Sequence, residues 1–356
     1  MNTFNAQHKI NRHQTGISLV EIMVALVISL FLLGGIIQVY LANKTTYKFT
    51  NANARVQENG RFALDTITED LRMAGFWGCA AFKPGGASKN PTLVNNLDTG
   101  SSGYNPQIHD FIAQDAIEGT ENDGLNGSDS ITIRGAKPVQ VNVYQPYNNP
   151  TSAALNITAT DNIVVNDIVM LSSCQGADIF QVTSAVDSAT AGQKVIGHVT
   201  GGSPGNMNSG PCAGAADAHC LSQTYGADAA MSELQTVTYS IAASSDVNSS
   251  EPALWRSENG TDVELIEGIE EMQILYGIDD DDDGFANQYV PSTDIPANTL
   301  DVISVRVMLL VRSDTDFITE SAQKYTFNGT PSTANDRRLR QVFTTTIALR
   351  NRVGKD

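Results

Sequence analysis

Basic residues are scarce in this sequence of 356 residues. Lysine and arginine together number 22, against 39 aspartates and glutamates, which gives a formal net charge of −17 at pH 7. A nucleic-acid-binding surface needs a cluster of positive charge that neutralises phosphates. The charge balance therefore argues against such a surface, and it favours solubility for whatever part of the chain faces water.

The sequence also has little that is arranged for catalysis. Its five histidines are His8, His13, His109, His198 and His219, and they show no triad-like spacing. Residues 201–205 formally match G-x-S-x-G, but Pro204 and the neighbouring small residues predict a turn. A nucleophile elbow needs a strand before the serine and a helix after it. We therefore predict no catalytic residues and no enzyme activity.

Cysteine is limited to four residues, Cys79, Cys174, Cys212 and Cys220. Cys212, His219 and Cys220 offer three zinc ligands, but no fourth accompanies them and their spacing is unlike that of zinc fingers. Disulfides are favoured instead, provided that this part of the chain lies in an oxidising compartment. Of the three pairings that four cysteines allow, proximity favours Cys212 with Cys220, which leaves Cys79 with Cys174.

What the sequence does have is one long apolar run, residues 17–41, in which Glu21 is the only charged side chain. As a helix, a run of this length reaches about 38 Å, enough to cross a hydrocarbon core of roughly 30 Å. A carboxylate inside such a segment is costly and therefore indicates a function. Residues 1–16 carry Lys9 and Arg12 and no acidic residue, so we expect this leader to stay in the cytoplasm.

The junction between leader and apolar run resembles the processing site of type IV prepilins, because Gly16 is followed by Ile-Ser-Leu-Val-Glu. In that family a peptidase cuts after the glycine, and the carboxylate at the fifth mature position guides fibre assembly. The resemblance implies cleavage between Gly16 and Ile17, N-methylation of Ile17, and an assembly role for Glu21. Because Ile17 and Glu21 are an i,i+4 pair, the new amine can meet its own carboxylate or a neighbour's. A plain membrane anchor with an incidental Glu21 is the alternative.

Beyond the apolar run the helical pattern becomes amphipathic. Apolar or small residues recur at spacings of three and four, at Val56, Gly60, Leu64, Ile67, Leu71 and Ala74. This stripe predicts a continuous helix to about Met73, whose second half packs on a globular domain. Gly75 follows as the expected end of the helix.

Two further segments resemble the PilW-type minor pilins of type IV pili. The first is Asn-Gly-Arg-Phe-Ala-Leu-Asp at residues 59–65 with Asp-Leu-Arg-Met-Ala-Gly-Phe-Trp-Gly-Cys at residues 70–79. The second is Arg-Arg-Leu-Arg-Gln-Val-Phe-Thr-Thr-Thr-Ile-Ala-Leu-Arg-Asn-Arg at residues 337–352. These matches lie towards the two ends of the chain, whereas the middle of the chain resembles the family only in its general pattern.

The region after the helix has the pattern of a loop-rich β protein. We predict strands at residues 131–134, 139–144, 194–200, 234–242, 253–256, 263–276, 301–312 and 341–351, a hairpin of residues 162–171 and 178–186, and a short helix around 111–117. A partly helical start is the alternative for segment 263–276. The fold class is therefore α+β: a long N-terminal helix packed on a largely antiparallel, pilin-like β-rich domain.

The strongest ligand signal in the β-rich region is a run of five aspartates, residues 279–283. Asp279, Asp281, Asp283 and Gly284 fit the first half of an EF-hand loop. Three carboxylates then converge on a hard cation, and the glycine permits the sharp turn. Like charges this close repel each other unless a cation offsets them. This pattern predicts calcium as the only cofactor.

The second half of the EF-hand pattern is incomplete. The Phe285 backbone carbonyl and Asn287 fall at positions seven and nine, but Val290 occupies position twelve, where a bidentate glutamate is expected. The residues before the loop also predict a strand rather than a helix. The remaining ligand is open: Asp280, Asp282, Asp294 or a residue from elsewhere. A solvated acidic turn is the alternative to a calcium site.

Together these patterns predict four segments: the leader 1–16, a transmembrane and fibre-core helix 17–41, an amphipathic helix 42–75, and a periplasmic β-rich domain 76–356. The resemblance to PilW implies a minor pilin that helps prime a type IV pilus, first in the inner membrane and then in the fibre. Its partners would be prepilin peptidase, other minor pilins, the major pilin and the inner-membrane assembly machinery. The alternatives are a type II secretion pseudopilin, a pilus-tip adhesin and, least favoured, an anchored periplasmic enzyme.

Overall fold

The computed structural model describes residues 16, 18–77, 92–111, 116–145, 153–173, 175–207, 221–249, 251–281, 283–295 and 302–351. Within them the chain divides into two compact units, residues 1–52 and 53–356. The boundary between the units falls inside the first helix.

One long helix precedes a region of many strands. The helical elements are α1 Leu19–Met73, the single-turn α2 Pro106–His109, and the 3₁₀ turns Leu125–Gly127 and Ser292–Asp294. The strands are β1 Thr92–Asn95, β2 Ile117–Thr120, β3 Ser130–Val139, β4 Ala154–Thr158, β5 Ile168–Ser173, β6 Gly176–Gln181, β7 Ser184–Asp187, β8 Gln193–Gly197, β9 Ala230–Ala243, β10 Pro252–Glu258, β11 Thr261–Glu267, β12 Ile269–Ile278, β13 Gln288–Val290, β14 Val302–Arg312, β15 Lys324–Phe327, β16 Thr330–Thr333 and β17 Arg340–Ala348.

The described strands form four sheets. An eight-stranded sheet has the order β1-β6-β5-β9-β10-β11, with β3 also paired to β9 and β2 to β3. A four-stranded sheet has the order β13-β12-β14-β17, a three-stranded sheet has the order β4-β8-β7, and β15 pairs with β16. Every pairing except the parallel β1–β6 pair is antiparallel. The predicted α+β class is therefore confirmed: a long helix followed by a β-rich, largely antiparallel region.

The second half of α1 packs into the largest hydrophobic core. Val56, Ala63, Ile67, Leu71 and Ala74 are buried there among residues of the eight-stranded and four-stranded sheets. The sequence predicts this face because helical neighbours three and four apart lie on one side. α1 ends where expected: the next turn places Gly75 at φ +69°, and the Gly75 N–H donates to the Arg134 carbonyl at 2.9 Å.

A single glycine joins the two larger sheets. Gly268, at φ +88°, separates β11 in the eight-stranded sheet from β12 in the four-stranded sheet. Its N–H donates to the Pro252 carbonyl at 2.8 Å, and its own carbonyl accepts from the Arg312 N–H at 2.8 Å. A Cβ at this position would lie 2.9 Å from the Arg312 oxygen, so glycine is required for both space and conformation.

Several predicted elements differ from the observed ones. Of the helix expected around 111–117, residues 112–115 lie outside the described residues. Its predicted end is wrong, because Ile117 begins β2, and a helical turn lies upstream in α2. The helical alternative for the start of segment 263–276 is also wrong: that region is two strands divided at Gly268. The predicted hairpin is confirmed in shorter form as β5 and β6.

Close packing of α1 on β17 gives a stability prediction at Gly60. A Cβ at Gly60 would lie 2.5–2.7 Å from three carbons of the Phe343 ring. Gly60→Ala should therefore lower the free energy of unfolding by about 1–2 kcal/mol, because overpacking outweighs the gain in helix propensity. Urea unfolding of the full chain in detergent, followed by tryptophan fluorescence, measures this loss.

Gly34 provides the matched control, because it lies in the same helix and no atom lies within 4 Å of the added Cβ. Gly34→Ala should leave unfolding of residues 53–356 unchanged. Adding Phe343→Leu to Gly60→Ala should recover part of the loss. If Gly60→Ala and Gly34→Ala changed the free energy of unfolding equally, the packing argument would be wrong.

Candidate functional site

The predicted processing site lies at the start of α1. Gly16 is exposed, Ile17 lies outside the described residues, and α1 begins at Leu19. The Ser18 hydroxyl accepts a hydrogen bond from the Glu21 N–H at 3.2 Å, so Ser18 is the N-cap residue of the helix. Glu21 stands in the first turn with its side chain exposed, where a carboxylate is favoured by the helix dipole.

The first unit presents an apolar helix surface. The exposed large side chains of α1 before the second unit are Leu19, Val20, Ile22, Met23, Val24, Leu26, Val27, Ile28, Leu30, Phe31, Leu32, Leu33, Ile36, Ile37, Val39, Tyr40, Leu41, Tyr47 and Phe49. By length and composition α1 is able to cross a membrane. A continuous apolar surface of this extent requires a lipid or protein environment.

The aspartate loop connects two paired strands. β12 and β13 form an antiparallel hairpin in which Tyr276 faces Val290, so the entering strand is confirmed and no helix precedes the loop. Val290, at position twelve, belongs to β13. Gly284 has φ +86°, the conformation that the predicted turn needs.

Three of the predicted calcium ligands are brought together in this loop. One carboxylate oxygen each from Asp279, Asp281 and Asp283 lies within 4.8 Å of the others. Asp279 is buried, and its two oxygens accept from the N–H groups of Asp283 at 3.2 Å and Gly284 at 3.0 Å. Asp281 and Asp283 are exposed. The loop backbone thus folds around the Asp279 carboxylate and turns the other two towards it.

The structure gives other contacts for the remaining predicted ligands, Asn287 and Phe285. Asn287 returns to the start of the loop, where its side-chain oxygen accepts from the Asp280 N–H at 2.9 Å. Phe285 is exposed, and its N–H donates to the Asp283 carboxylate at 2.8 Å. Among the described residues the converging group includes neither Asp280 nor Asp294, and Asp282 lies outside them.

The predicted disulfide residues cannot be placed on this fold. Cys79, Cys174, Cys212 and Cys220 all lie outside the described residues, as does His219. Their pairing stays a prediction.

The G-x-S-x-G match lies in a turn, as its composition predicts. Ser203 follows Gly202, which has φ +107°, and the Ser203 carbonyl accepts from the Gln181 side chain at 2.9 Å.

Two of the histidines lie within the described residues. His198 is buried with its ring 4.9 Å from that of Phe180, and the His109 ring accepts a hydrogen bond from the N–H of Asn105 at 2.9 Å. Burial lowers the pKa of His109.

An ion-pair network at the start of β17 was not predicted from the sequence. The Arg340 side chain is 2% exposed, and its Nε lies 2.7 Å from Glu270 while its Nη1 lies 2.5 Å from Asp336. Arg338 and Arg312 both pair with Glu251, at 2.8 and 3.0 Å. Arg338 and Arg340 of the arginine-rich closing segment are therefore paired within the domain.

The two ends of the chain match known families. Residues 11–37 match the Prokaryotic N-terminal methylation motif, and residues 238–351 match PilW, Type IV Pilus-assembly protein W. The first range contains the predicted cleavage site. The second contains the aspartate loop and the ion-pair network, whereas segment 59–79 falls in neither.

No curated protein matches the chain. Among solved structures, the type IV-like pilin TTHA1219 from Thermus thermophilus aligns with 54% of this chain and 88% of its own, at 14% identity and a TM-score of 0.19.

Proposed function

We propose that this chain, which carries a PilW match at residues 238–351 and a prokaryotic N-terminal methylation motif at residues 11–37, is a pilin-like protein of the type IV pilus that acts as a minor subunit in pilus assembly. The observation that carries the proposal is the exposed Glu21 carboxylate in the first turn of an apolar helix, directly after the exposed Gly16. Among the described residues the Glu21 carboxylate has no hydrogen-bond or ion-pair partner, so it is available to a second chain.

In the proposed sequence of events the basic leader holds the N-terminus in the cytoplasm, and the β-rich domain enters the periplasm. Prepilin peptidase removes residues 1–16, and Ile17 is N-methylated. The apolar part of α1 then leaves the inner membrane and packs among the helices of other minor pilins and the major pilin. The Glu21 carboxylate pairs with the Ile17 amine of a neighbour, which fixes the register between subunits.

Mass spectrometry of the N-terminus of the mature protein tests this proposal. A chain that begins with methylated Ile17 is the expected result. A mature chain that begins at Met1, or at a residue beyond Leu41, would overturn it. Expression in cells without the peptidase gives the matched control, because the leader should then remain attached.

We also propose that the aspartate loop binds calcium. The support is the convergence of the Asp279, Asp281 and Asp283 oxygens within 4.8 Å, with Gly284 at the turn. Carboxylate oxygens are the ligands that Ca²⁺ prefers. Binding would offset the repulsion between these carboxylates and fix the tip of the β12–β13 hairpin.

Removing two loop carboxylates should abolish this binding. We expect calorimetry on the full chain in detergent to detect calcium with a Kd on the order of 10⁻⁴–10⁻³ M, the range of extracellular modules. In the Asp281→Asn/Asp283→Asn variant, the heat of calcium binding to the loop should disappear. Asp187→Asn/Asp262→Asn, which removes the same charge from two exposed positions, should retain it. If the parent chain binds no calcium at millimolar concentration, the hypothesis of a calcium site is wrong.

A further inference from the structure

The strand β17 forms one edge of the four-stranded sheet. Among the described strands it pairs only with β14, and the register between the two has no bulge. With nine residues, β17 is also the longest edge strand of the described sheets. A free edge presents backbone N–H and C=O groups that can pair with a strand of another chain.

The Gln323 side chain shows which backbone groups of β17 face outwards. Its amide accepts from the Arg340 N–H at 2.8 Å and donates to the Arg340 carbonyl at 2.8 Å, as a neighbouring strand would. Both backbone groups of Arg340 therefore point away from β14. Because residues of an antiparallel strand face its two neighbours alternately, every second residue after Arg340 also faces outwards. The outward-facing positions are Val342, Thr344, Thr346 and Ala348.

These outward-facing positions are both unpaired and unprotected. Among the described residues their backbone groups have no hydrogen-bond partner, and their side chains are exposed. Edge strands commonly avoid other chains by carrying charged side chains, proline or a bulge. The edge strand β11 has such protection in Asp262, Glu264 and Glu267. Residues 341–348 contain no charged residue and no proline, so this edge is open to an added strand.

A groove of about 980 Å³ borders the open edge, between α1 and β17. Its apolar lining includes Phe62, Leu64 and Phe343, and Phe62 is 44% exposed. Charged side chains of both signs complete the lining: Glu58, Arg61 and Asp65. Alternate side chains of a strand point to opposite faces, so every second residue of an added strand would point towards α1 and this groove. Backbone pairing would then supply affinity, and the groove would supply specificity.

The direction of α1 argues against a second copy of this chain as the added strand. Asn53 accepts from the Gln341 side chain at 3.0 Å, and the Ala74 carbonyl accepts from the Asn351 side chain at 3.0 Å, so β17 runs along α1 in the same direction. An antiparallel pair of two β17 strands would therefore place residues 53–73 of the two copies in opposite directions. Two chains that enter one membrane through α1 must enter it from the same side.

We propose that β17 is an interaction edge, which binds an extended, uncharged segment of a partner protein as an additional strand of the four-stranded sheet. The bound segment covers residues 342–348, because Gln323 closes the edge at Arg340. Threonine and β-branched apolar residues suit this segment, since they pair well with the exposed threonines of β17 and contain no charge that would lose its hydration. This binding does not depend on the proposed calcium site.

Hydrogen exchange of the full chain in detergent, measured for single residues, tests whether the edge is open. The N–H groups of Val342, Thr344 and Thr346 should exchange at least about tenfold faster than those of Phe343 and Thr345, which face β14. The probe for the partner is a labelled peptide of alternating threonine and valine, long enough to cover residues 342–348. Its addition should slow exchange at the outward-facing positions, and fluorescence anisotropy should give a saturable titration.

Thr344→Pro separates pairing at the edge from other binding. Proline removes one outward-facing N–H without removing a hydrogen bond to β14, so the peptide should bind at least about tenfold more weakly. Thr344→Ala is the matched control, because it keeps the N–H and should leave the affinity unchanged. The same peptide with alternate backbone nitrogens methylated lacks the donors of one edge and should not bind.

Four outcomes would overturn the proposal. In the first, the outward-facing N–H groups exchange as slowly as those that face β14, so the chain itself covers its edge. In the second, they become slow only at high protein concentration, so a second copy is the partner. In the third, the peptide does not bind at millimolar concentration. In the fourth, the methylated peptide binds as well as the parent peptide, a comparison that needs no variant and stays decisive if Thr344→Pro folds poorly.

Discussion

Glu21→Ala should enter the membrane and lose its leader normally, yet fail to join the fibre. The exposed carboxylate follows an N-cap serine and is not needed to start the helix, since the Ser18 hydroxyl already accepts the Glu21 N–H. In the proposed fibre, loss of this carboxylate would leave the Ile17 amine of a neighbour unpaired among apolar helices. Removing one partner of such a buried pair costs about 3–5 kcal/mol. Incorporation should therefore fall by roughly a hundredfold or more.

Quantitative mass spectrometry of sheared pili, beside the membrane fraction of the same cells, measures this change. Glu21→Gln keeps the shape but not the charge, so it should fail almost as completely as Glu21→Ala. Glu69→Ala removes an exposed carboxylate from the same helix and should be incorporated normally. If Glu21→Ala reached the pilus at the parent level, the proposed pairing between subunits would be wrong.

Arg340→Ala should destabilise the second unit by about 3 kcal/mol, because it removes the nearest cation from two partly buried carboxylates. Glu270 and Asp336 then keep only the longer contacts of 3.8 Å to Arg312 and Arg338. The Arg340 guanidinium donates from Nε and Nη2 to Glu270 at 2.7 and 3.1 Å, and from Nη1 and Nη2 to Asp336 at 2.5 and 3.0 Å. Arg340→Lys should recover only part of the loss, since lysine lacks the planar fork. Urea unfolding monitored by tryptophan fluorescence gives the comparison.

The pH dependence gives the Arg340 prediction a second readout. Hydrogen bonds from Arg340 lower the pKa of Asp336 in the folded state. The corresponding stabilisation is present above the unfolded pKa of about 4 and is lost as the pH falls through the folded value. The difference in free energy of unfolding between Arg340→Ala and the parent chain should therefore become smaller below about pH 4. Arg350→Ala, at an exposed position, should change little at any pH. A large loss that is independent of pH would indicate a packing defect instead.

The parts of the fold that follow from local periodicity were predictable. The buried stripe on α1 needs only the spacing of Val56, Ile67 and Leu71, and the end of the helix needs only Gly75. The aspartate loop was also predictable, because its three converging carboxylates lie within five residues of sequence. Its geometry depends on one turn and not on distant parts of the chain.

The features that depend on long-range contacts were not predictable. The sequence of segment 263–276 predicts one continuous strand. The break at Gly268 becomes visible only in the structure, where β11 and β12 belong to different sheets. The Arg340 pair joins β17 to Glu270, seventy residues earlier in the chain. Short strands such as β13 and β16 contain too few residues for an alternating pattern.

The junction at Gly268 has a mechanical consequence. One peptide group on each side of this residue is bonded to a different sheet, through Pro252 and through Arg312. The chain passes directly from one sheet to the other at Gly268, and the two hydrogen bonds hold this residue against both sheets. The sheets can therefore separate at this corner only if one of the two hydrogen bonds breaks, so we expect the corner to resist opening.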